Sequence, residues 1–163
     1  MGCDIHCFAE QRRYNKDRTK SVWISIDSWE QDIYEDDLFD ELDFPQNPWW
    51  PAGMDVSYKN SFYGGRDYEL FNKLCGVRGS GRGAISRPRG IPKDVSLPVQ
   101  MVIDRWEGDA HSHNWNTLAE LLEHNMKEYM PETIEKLSKY LREGSQYWSA
   151  GPEDLRLVYF FDN

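Results

Sequence analysis

The sequence predicts an α+β fold in a single domain that covers residues 1–163. Two observations favour it: segments at both ends of the chain have the pattern of strands, and two amphipathic segments with helical spacing precede the last of them. A chain of 163 residues is long enough for one hydrophobic core but short for two. We expect a mostly antiparallel sheet that includes the N- and C-terminal strands, covered by two or three helices and joined by long ordered loops.

The N-terminal strand runs from Cys3 to Tyr14 and alternates between two kinds of side chain. Its core-like face carries Cys3, Ile5, Cys7 and Ala9, and its other face carries Asp4, His6, Phe8 and Glu10. A second alternating segment, 22–27, follows a polar stretch at 15–20, which predicts an antiparallel hairpin. Three cysteines form no regular disulfide pattern, so we expect thiols. Residues 155–161 are rich in strand-forming side chains and predict a buried strand at the centre of the sheet.

Three helices are predicted, one near the middle of the chain and two toward its C-terminal end. The first covers 67–75 and stops at Gly76. The second begins at the capping box formed by Thr117 and Glu120 and extends toward Pro131, where the third begins and continues to Gly144. Prolines and glycines between residues 44 and 66 predict a long ordered loop.

Charge and hydropathy exclude several classes of protein. The net charge is −9, and residues 27–43 alone hold nine acidic groups and no basic one. Duplex nucleic acid is therefore a poor partner, because its binding requires Lys and Arg to neutralise phosphates. The chain contains neither a membrane-length apolar run nor a secretory signal pattern, so we expect a cytoplasmic protein. A homo-oligomer stays open, as does a host protein partner for the acidic segment 27–43.

Carboxylates and imidazoles occur together at two places in the sequence. Asp4 and His6 lie two residues apart on a strand and so point the same way, and Asp109, His111 and His113 alternate just before a helix. If the segments meet, they offer nitrogen and oxygen ligands for zinc, manganese or iron, which would activate a water for hydrolysis. We expect Asp4, His6, Asp109 and His111 to be catalytic. A pocket without chemistry, or a structural Asp–His pair, explains the same residues.

A second candidate segment is rich in arginine and glycine and lies between residues 76 and 90. Flexible backbone amides and guanidinium groups suit phosphate oxygens, so we expect ligand contacts from Arg78, Arg82, Arg87 and Arg89. The alternative is a mobile surface loop whose arginines pair with acidic residues. Trp50 and Tyr63 could stack on a base or a sugar, but aromatic packing within the loop is the favoured explanation.

Several short motifs extend over the whole chain. They are Gly2-Cys-Asp-Ile-His6, Tyr68-Glu-Leu-Phe71, Cys75-Gly-Val-Arg78, Pro88-Arg-Gly-Ile-Pro92 with Asp94, Asp109-Ala-His-Ser112 and Leu157-Val-Tyr-Phe-Phe-Asp162. With them the chain resembles a family of small, uncharacterised proteins of bacteriophages and prophages. The family has an aliphatic residue at the position of Cys7, which fits a core thiol. The resemblance implies a phage accessory protein in the bacterial cytoplasm, and such proteins often bind or degrade nucleotide signals of host defence.

Together these features predict recognition of a small phosphorylated or nucleotide ligand. The leading hypothesis is a phosphodiesterase-like hydrolase that uses metal-assisted or acid–base chemistry. The alternative is a sponge that sequesters a nucleotide immune signal without cleaving it. A further alternative is an acidic inhibitor that binds a host protein through residues 27–43.

Overall fold

A computed structural model describes residues 2–31, 54–57, 59–144 and 150–163. Its main sheet has four antiparallel strands in the order β2-β1-β6-β5, and a small two-stranded sheet joins β3 to β4. The strands are β1 (Ile5–Tyr14), β2 (Ser21–Ser25), β3 (Trp29–Gln31), β4 (Met54–Val56), β5 (His111–Thr117) and β6 (Leu155–Phe161). The α+β class, the β1–β2 hairpin and the central position of the C-terminal strand are confirmed.

Four α-helices lie within the described ranges. They are α1 (Tyr68–Cys75), α2 (Leu97–Arg105), α3 (Leu118–Glu123) and α4 (Pro131–Gly144). Asp67 caps α1 by accepting hydrogen bonds from two backbone amides, and Gly76 ends it in a left-handed conformation. The capping box of Thr117 and Glu120 begins α3, as predicted. None of the helices among the described residues is long and apolar enough to cross a membrane.

The sheet separates two apolar clusters. The cluster on one face contains Ile5, Cys7 and Ala9 of β1 and side chains of α1, α3 and α4. The predicted core face of β1 is therefore confirmed, and all three cysteines are free and buried. On the other face, Phe8 and Phe160 pack against α2. The face of β1 that carries Asp4, His6, Phe8 and Glu10 is thus partly covered, because Phe8 and Glu10 are buried.

A buried ion pair joins β1 to β6 on this second face. Glu10 and Arg156 are cross-strand neighbours, and the Arg156 guanidinium donates to the Glu10 carboxylate over 2.7 Å. Arg156 also donates to Asp94 over 2.9 Å and lies 4.0 Å from the centre of the Trp23 ring. Charge, hydrogen bonds and an aromatic face thus replace apolar packing in this part of the core.

Several boundaries differ from the sequence predictions. Helix α3 ends at Glu123 instead of extending to Pro131, because Asn125 adopts a left-handed backbone with φ +54°. Helix α2 and strand β5 were not predicted as elements, and β4 lies within the segment 44–66 that was expected to be a loop. The acidic segment 27–43, whose pattern fits either an amphipathic helix or an irregular segment, falls mostly outside the described residues, and its described part contains β3.

Candidate functional site

The two ends of the chain lie side by side at one edge of the sheet, which we call the terminal edge. The Asp162 amide donates to the Asp4 carbonyl over 3.2 Å, and the Asp4 amide donates to Asp162 Oδ1 over 2.9 Å. Arg78 reaches this edge from the loop after α1 and donates to the Gly2 carbonyl and to Asn163 Oδ1, both over 3.2 Å. Residues distant in sequence thus meet here.

Asp4 and His6, the predicted N-terminal half of the site, have separate partners at this edge. Arg66 forms a two-pronged ion pair with the Asp4 carboxylate, with Nε 2.7 Å from Oδ1, and these hydrogen bonds lower the pKa of Asp4. Nε2 of His6 lies 2.9 Å from Asp162 Oδ2. The His6 ring also stacks on Phe160, with centroids 4.7 Å apart, so its orientation is fixed from two sides.

The histidines of the predicted C-terminal half contact different faces of the sheet. His113 lies against Phe160, the same ring that His6 contacts, with a centroid distance of 5.5 Å. His111 pairs instead with Phe161 and lies against that ring. Successive residues of a strand point to opposite faces, so His6 and His113 share one face and His111 occupies the other.

These positions do not assemble the five predicted metal ligands. Asp109 is exposed in the turn before β5, where its amide donates to the Trp106 carbonyl. Within the described ranges, no group of three or more His, Cys, Asp or Glu side chains could hold a metal ion. Metal-assisted hydrolysis therefore stays a prediction from the sequence, and no geometry described above supports it.

A cleft of about 430 Å³ opens at the terminal edge on the His111 face, and we call it the terminal cleft. It brings one arginine of the glycine-rich segment together with the histidine segment. Its lining consists of Cys75, Gly76, Val77, Arg78, Pro88, His111, Ser112 and Asn163. Of the predicted site residues, Arg78 and His111 therefore share a concave surface.

His111 and Ser112 form a hydrogen-bonded pair in this cleft. His111 Nδ1 lies 2.9 Å from Ser112 Oγ, and His111 Nε2 is buried with no hydrogen-bond partner among the described residues. The register of β5 on β6 shifts between His111 and Asn114, and Ser112 has a left-handed backbone with φ +53°. Arg78 is also left-handed, with φ +57°. Non-glycine residues with positive φ are uncommon and often mark functional sites.

Burial keeps two further groups neutral, His113 on the opposite face of the sheet and Cys75 in the cleft. Burial and the neighbouring charge of His111 lower the pKa of His113. Burial also raises the pKa of the Cys75 thiol to about 11. Cys75 is therefore protonated at neutral pH and contributes shape to the cleft rather than a thiolate.

The four arginines predicted to bind a ligand have different environments. Arg89 pairs with Glu120 over 2.7 Å and lies over the Trp115 ring, so its charge is already neutralised. Arg82 and Arg87 are exposed and do not line the terminal cleft. Arg78 donates only to neutral oxygens and has no ion pair with another described residue. It is the predicted arginine with a charge available inside the cleft.

The two aromatic residues predicted to stack on a ligand do not lie at the terminal cleft. Tyr63 lines a separate cleft of about 480 Å³ beside the start of α4, with Lys59, Lys136 and Tyr129 among its neighbours. Trp50 lies outside the described residues. The structure thus separates Tyr63 from Arg78 and His111.

Sequence reasoning missed Ser112, Asp162 and Arg66 as members of this edge. A signal for Asp162 was available, since a carboxylate directly follows the buried strand β6. Ser112 stands between two histidines, but only the shift of register shows that it enters the cleft. No feature of the sequence indicated that Arg66 would meet Asp4.

Comparison with protein-family models, with curated proteins and with solved structures finds no match to this chain.

Proposed function

We propose that the terminal cleft binds a small phosphorylated ligand and that His111 provides acid–base chemistry for its hydrolysis. The observation that supports this most directly is the Arg78 guanidinium, which lines the cleft beside His111 and pairs with no described carboxylate. An uncompensated guanidinium is a strong site for phosphate oxygens. In the context of the phage resemblance, the ligand would be a nucleotide signal.

The size of the terminal cleft is compatible with this proposal. Small-molecule sites typically occupy roughly 300–1,000 Å³, and the terminal cleft falls within that range. Asn163, with an amide side chain, and Ser112, with a hydroxyl, line the cleft together with Arg78. Such a site favours an anion with several oxygen acceptors over a ligand with a single carboxylate.

A non-catalytic sponge is the second candidate, and one observation favours it. His111 Nε2 is buried from solvent, and His111 Nδ1 is already engaged with Ser112 Oγ. A protein of this kind would hold the phosphorylated ligand through Arg78 and release it unchanged. Turnover therefore separates the two candidates, whereas binding alone does not.

Replacement of Arg78 by Gln tests the proposal. We expect inorganic phosphate, titrated by calorimetry, to bind the wild-type protein and to bind Arg78→Gln at least about 10-fold more weakly, because a charged hydrogen bond is lost. Arg142→Gln is the matched control, since Arg142 is exposed on α4 and pairs with Glu135. Equal affinity of both variants would overturn the proposed site.

The same proteins decide between hydrolysis and sequestration. Bis(p-nitrophenyl) phosphate is a chromogenic diester, and a hydrolase releases coloured nitrophenolate from an excess of it. Turnover by the wild-type protein that is lost in Arg78→Gln supports the enzyme. Phosphate binding without turnover supports the sponge.

A further inference from the structure

We infer that the Ser112 hydroxyl is the nucleophile of the terminal cleft and attacks the phosphorus atom of a bound phosphodiester. This inference rests on the proposed function, which it deepens by naming the reacting atom. It is carried by the position of Ser112 in the cleft, its hydrogen bond to His111 and its unusual backbone conformation.

The backbone of β5 presents Ser112 differently from its neighbours. A regular strand would place Ser112 opposite Phe161, but the register shift gives that position to His111 and leaves Ser112 unpaired in the ladder. Its φ of +53° is costly for a residue with a side chain. The result is a serine that lines the cleft from a constrained turn within a strand.

The neighbours of Ser112 supply what a serine nucleophile requires. His111 Nδ1 lies 2.9 Å from Oγ, within reach to accept the hydroxyl proton. Arg78 lines the same cleft and can stabilise the charge that develops on the phosphoryl oxygens. Cys75, the other potential nucleophile there, is buried and protonated.

The proposed step balances without a metal or a redox partner. The Ser112 Oγ–phosphorus bond forms while the bond from phosphorus to the leaving alkoxide breaks, and His111 Nδ1 takes the hydroxyl proton. That proton then passes to the alkoxide. Water subsequently hydrolyses the phosphoserine diester and restores the hydroxyl, and the second ester group remains on the released phosphate.

A fluorophosphonate probe tests this step directly. Attack by Oγ forms a serine–phosphorus bond, expels fluoride and places the hydroxyl proton on His111, so the adduct appears in the intact mass. We expect one adduct on the wild-type protein, mapped to Ser112 by peptide sequencing, and none on Ser112→Ala. Ser138→Ala, which changes a serine on α4 away from the cleft, should label like the wild-type protein.

The role of His111 is tested by rate. His111→Asn should slow labelling of Ser112 by about 100-fold, the usual contribution of a general base. Inorganic phosphate should protect Ser112 in the wild-type protein and should fail to protect it in Arg78→Gln. If the probe labels His111→Asn at an unchanged rate, His111 is not the base that accepts the Ser112 proton.

Ser112→Gly distinguishes failure of this inference from failure of the proposed function. Glycine adopts positive φ without strain, so this variant should keep the fold and bind phosphate while losing turnover. Full turnover by Ser112→Gly, or a wild-type adduct at another residue, overturns the nucleophile but leaves the binding site intact. Labelling of Ser112 in a protein that does not bind phosphate would instead contradict the proposal that the cleft binds a phosphorylated ligand.

Discussion

Asp27 is the described carboxyl group whose protonation is most altered by the fold. Its Oδ2 accepts the Ala9 amide over 2.7 Å, while its Oδ1 is buried without a partner among the described residues. Burial raises its pKa to about 7, and the nearby charges of Glu10 and Asp55 act in the same direction. The folded protein therefore holds a proton that the unfolded chain releases near pH 3.8.

This proton makes stability depend on pH. Because the folded pKa lies above the unfolded one, the contribution is present at low pH and is lost between about pH 4 and pH 7. The free energy of unfolding should fall by up to about 1.4 kcal/mol per pH unit across that window. In Asp27→Asn this slope should be absent, since the amide oxygen can still accept from Ala9. Urea denaturation of both proteins at pH 5, 6 and 7 measures how the free energy of unfolding changes with pH.

Asp104→Asn is the control for this measurement, because Asp104 is exposed on α2 and accepts a hydrogen bond from Gln100 of the preceding turn. It should retain the slope of the wild-type protein. An unchanged slope in Asp27→Asn would show that Asp27 is ionised in the folded protein at pH 5.

Single residues also show which contacts the sequence can predict and which it cannot. Alternation along β1 correctly placed Ile5, Cys7 and Ala9 in the core. It could not show that His6 would bond to Asp162, because 156 positions separate them and only the order of strands brings them together. The pairing of Asp4 with Arg66 is hidden for the same reason.

Among the elements, α2 and β5 were missed because neither has the sequence pattern that usually predicts its kind of element. Strand β5 is mostly polar, and its buried Asn114 and Asn116 bond to the Tyr159 hydroxyl instead of packing as apolar residues. Helix α2 has only nine residues and a proline in its first turn. Helices α1 and α4 were predicted because they have clear end signals and apolar stripes.

The pairing of β1 with β6 includes a buried charge pair, and we expect its disruption to destabilise the protein strongly. Arg156→Met leaves the Glu10 carboxylate buried without its cation, and we expect a loss of about 3–5 kcal/mol in the free energy of unfolding. Glu10→Gln combined with Arg156→Met removes both charges and should recover much of that loss. Urea denaturation of the two variants at pH 7 gives the comparison.

Equal losses in the single and double variants would contradict this expectation. They would indicate that Arg156 stabilises the sheet mainly through Trp23 and Asp94. The cation–π contact survives in Glu10→Gln alone, so this variant separates the two contributions.

Across the whole molecule, the strand order decides both the fold and the site. The two strands predicted at the ends of the chain are neighbours in the sheet, and pattern alone predicted the strands but not their pairing. The terminal cleft instead combines the loop after α1, the start of β5 and the last residue, which no local pattern connects. The fold class was therefore predictable, whereas the membership of the site was not.

A circular permutant tests the proximity of the ends. A short glycine-rich linker should join residue 163 to residue 2, with new ends opened between Asp17 and Arg18 in the exposed hairpin turn. We expect a native circular dichroism spectrum and cooperative thermal unfolding. A permutant opened between Val158 and Tyr159 should not fold, because it divides the central strand. Folding of both permutants, or of neither, would contradict the expectation.

The central position of β6 also affects how the protein is made. Synthesis proceeds from the N-terminus, so β1, β2 and β5 leave the ribosome before the strand that joins them. Until β6 emerges, one edge of β1 and one edge of β5 lack their partner, and the nascent chain exposes apolar surface that can associate wrongly. The emergence of β6 should therefore limit how early the chain folds. Until then, we expect chaperones to bind the newly synthesised chain.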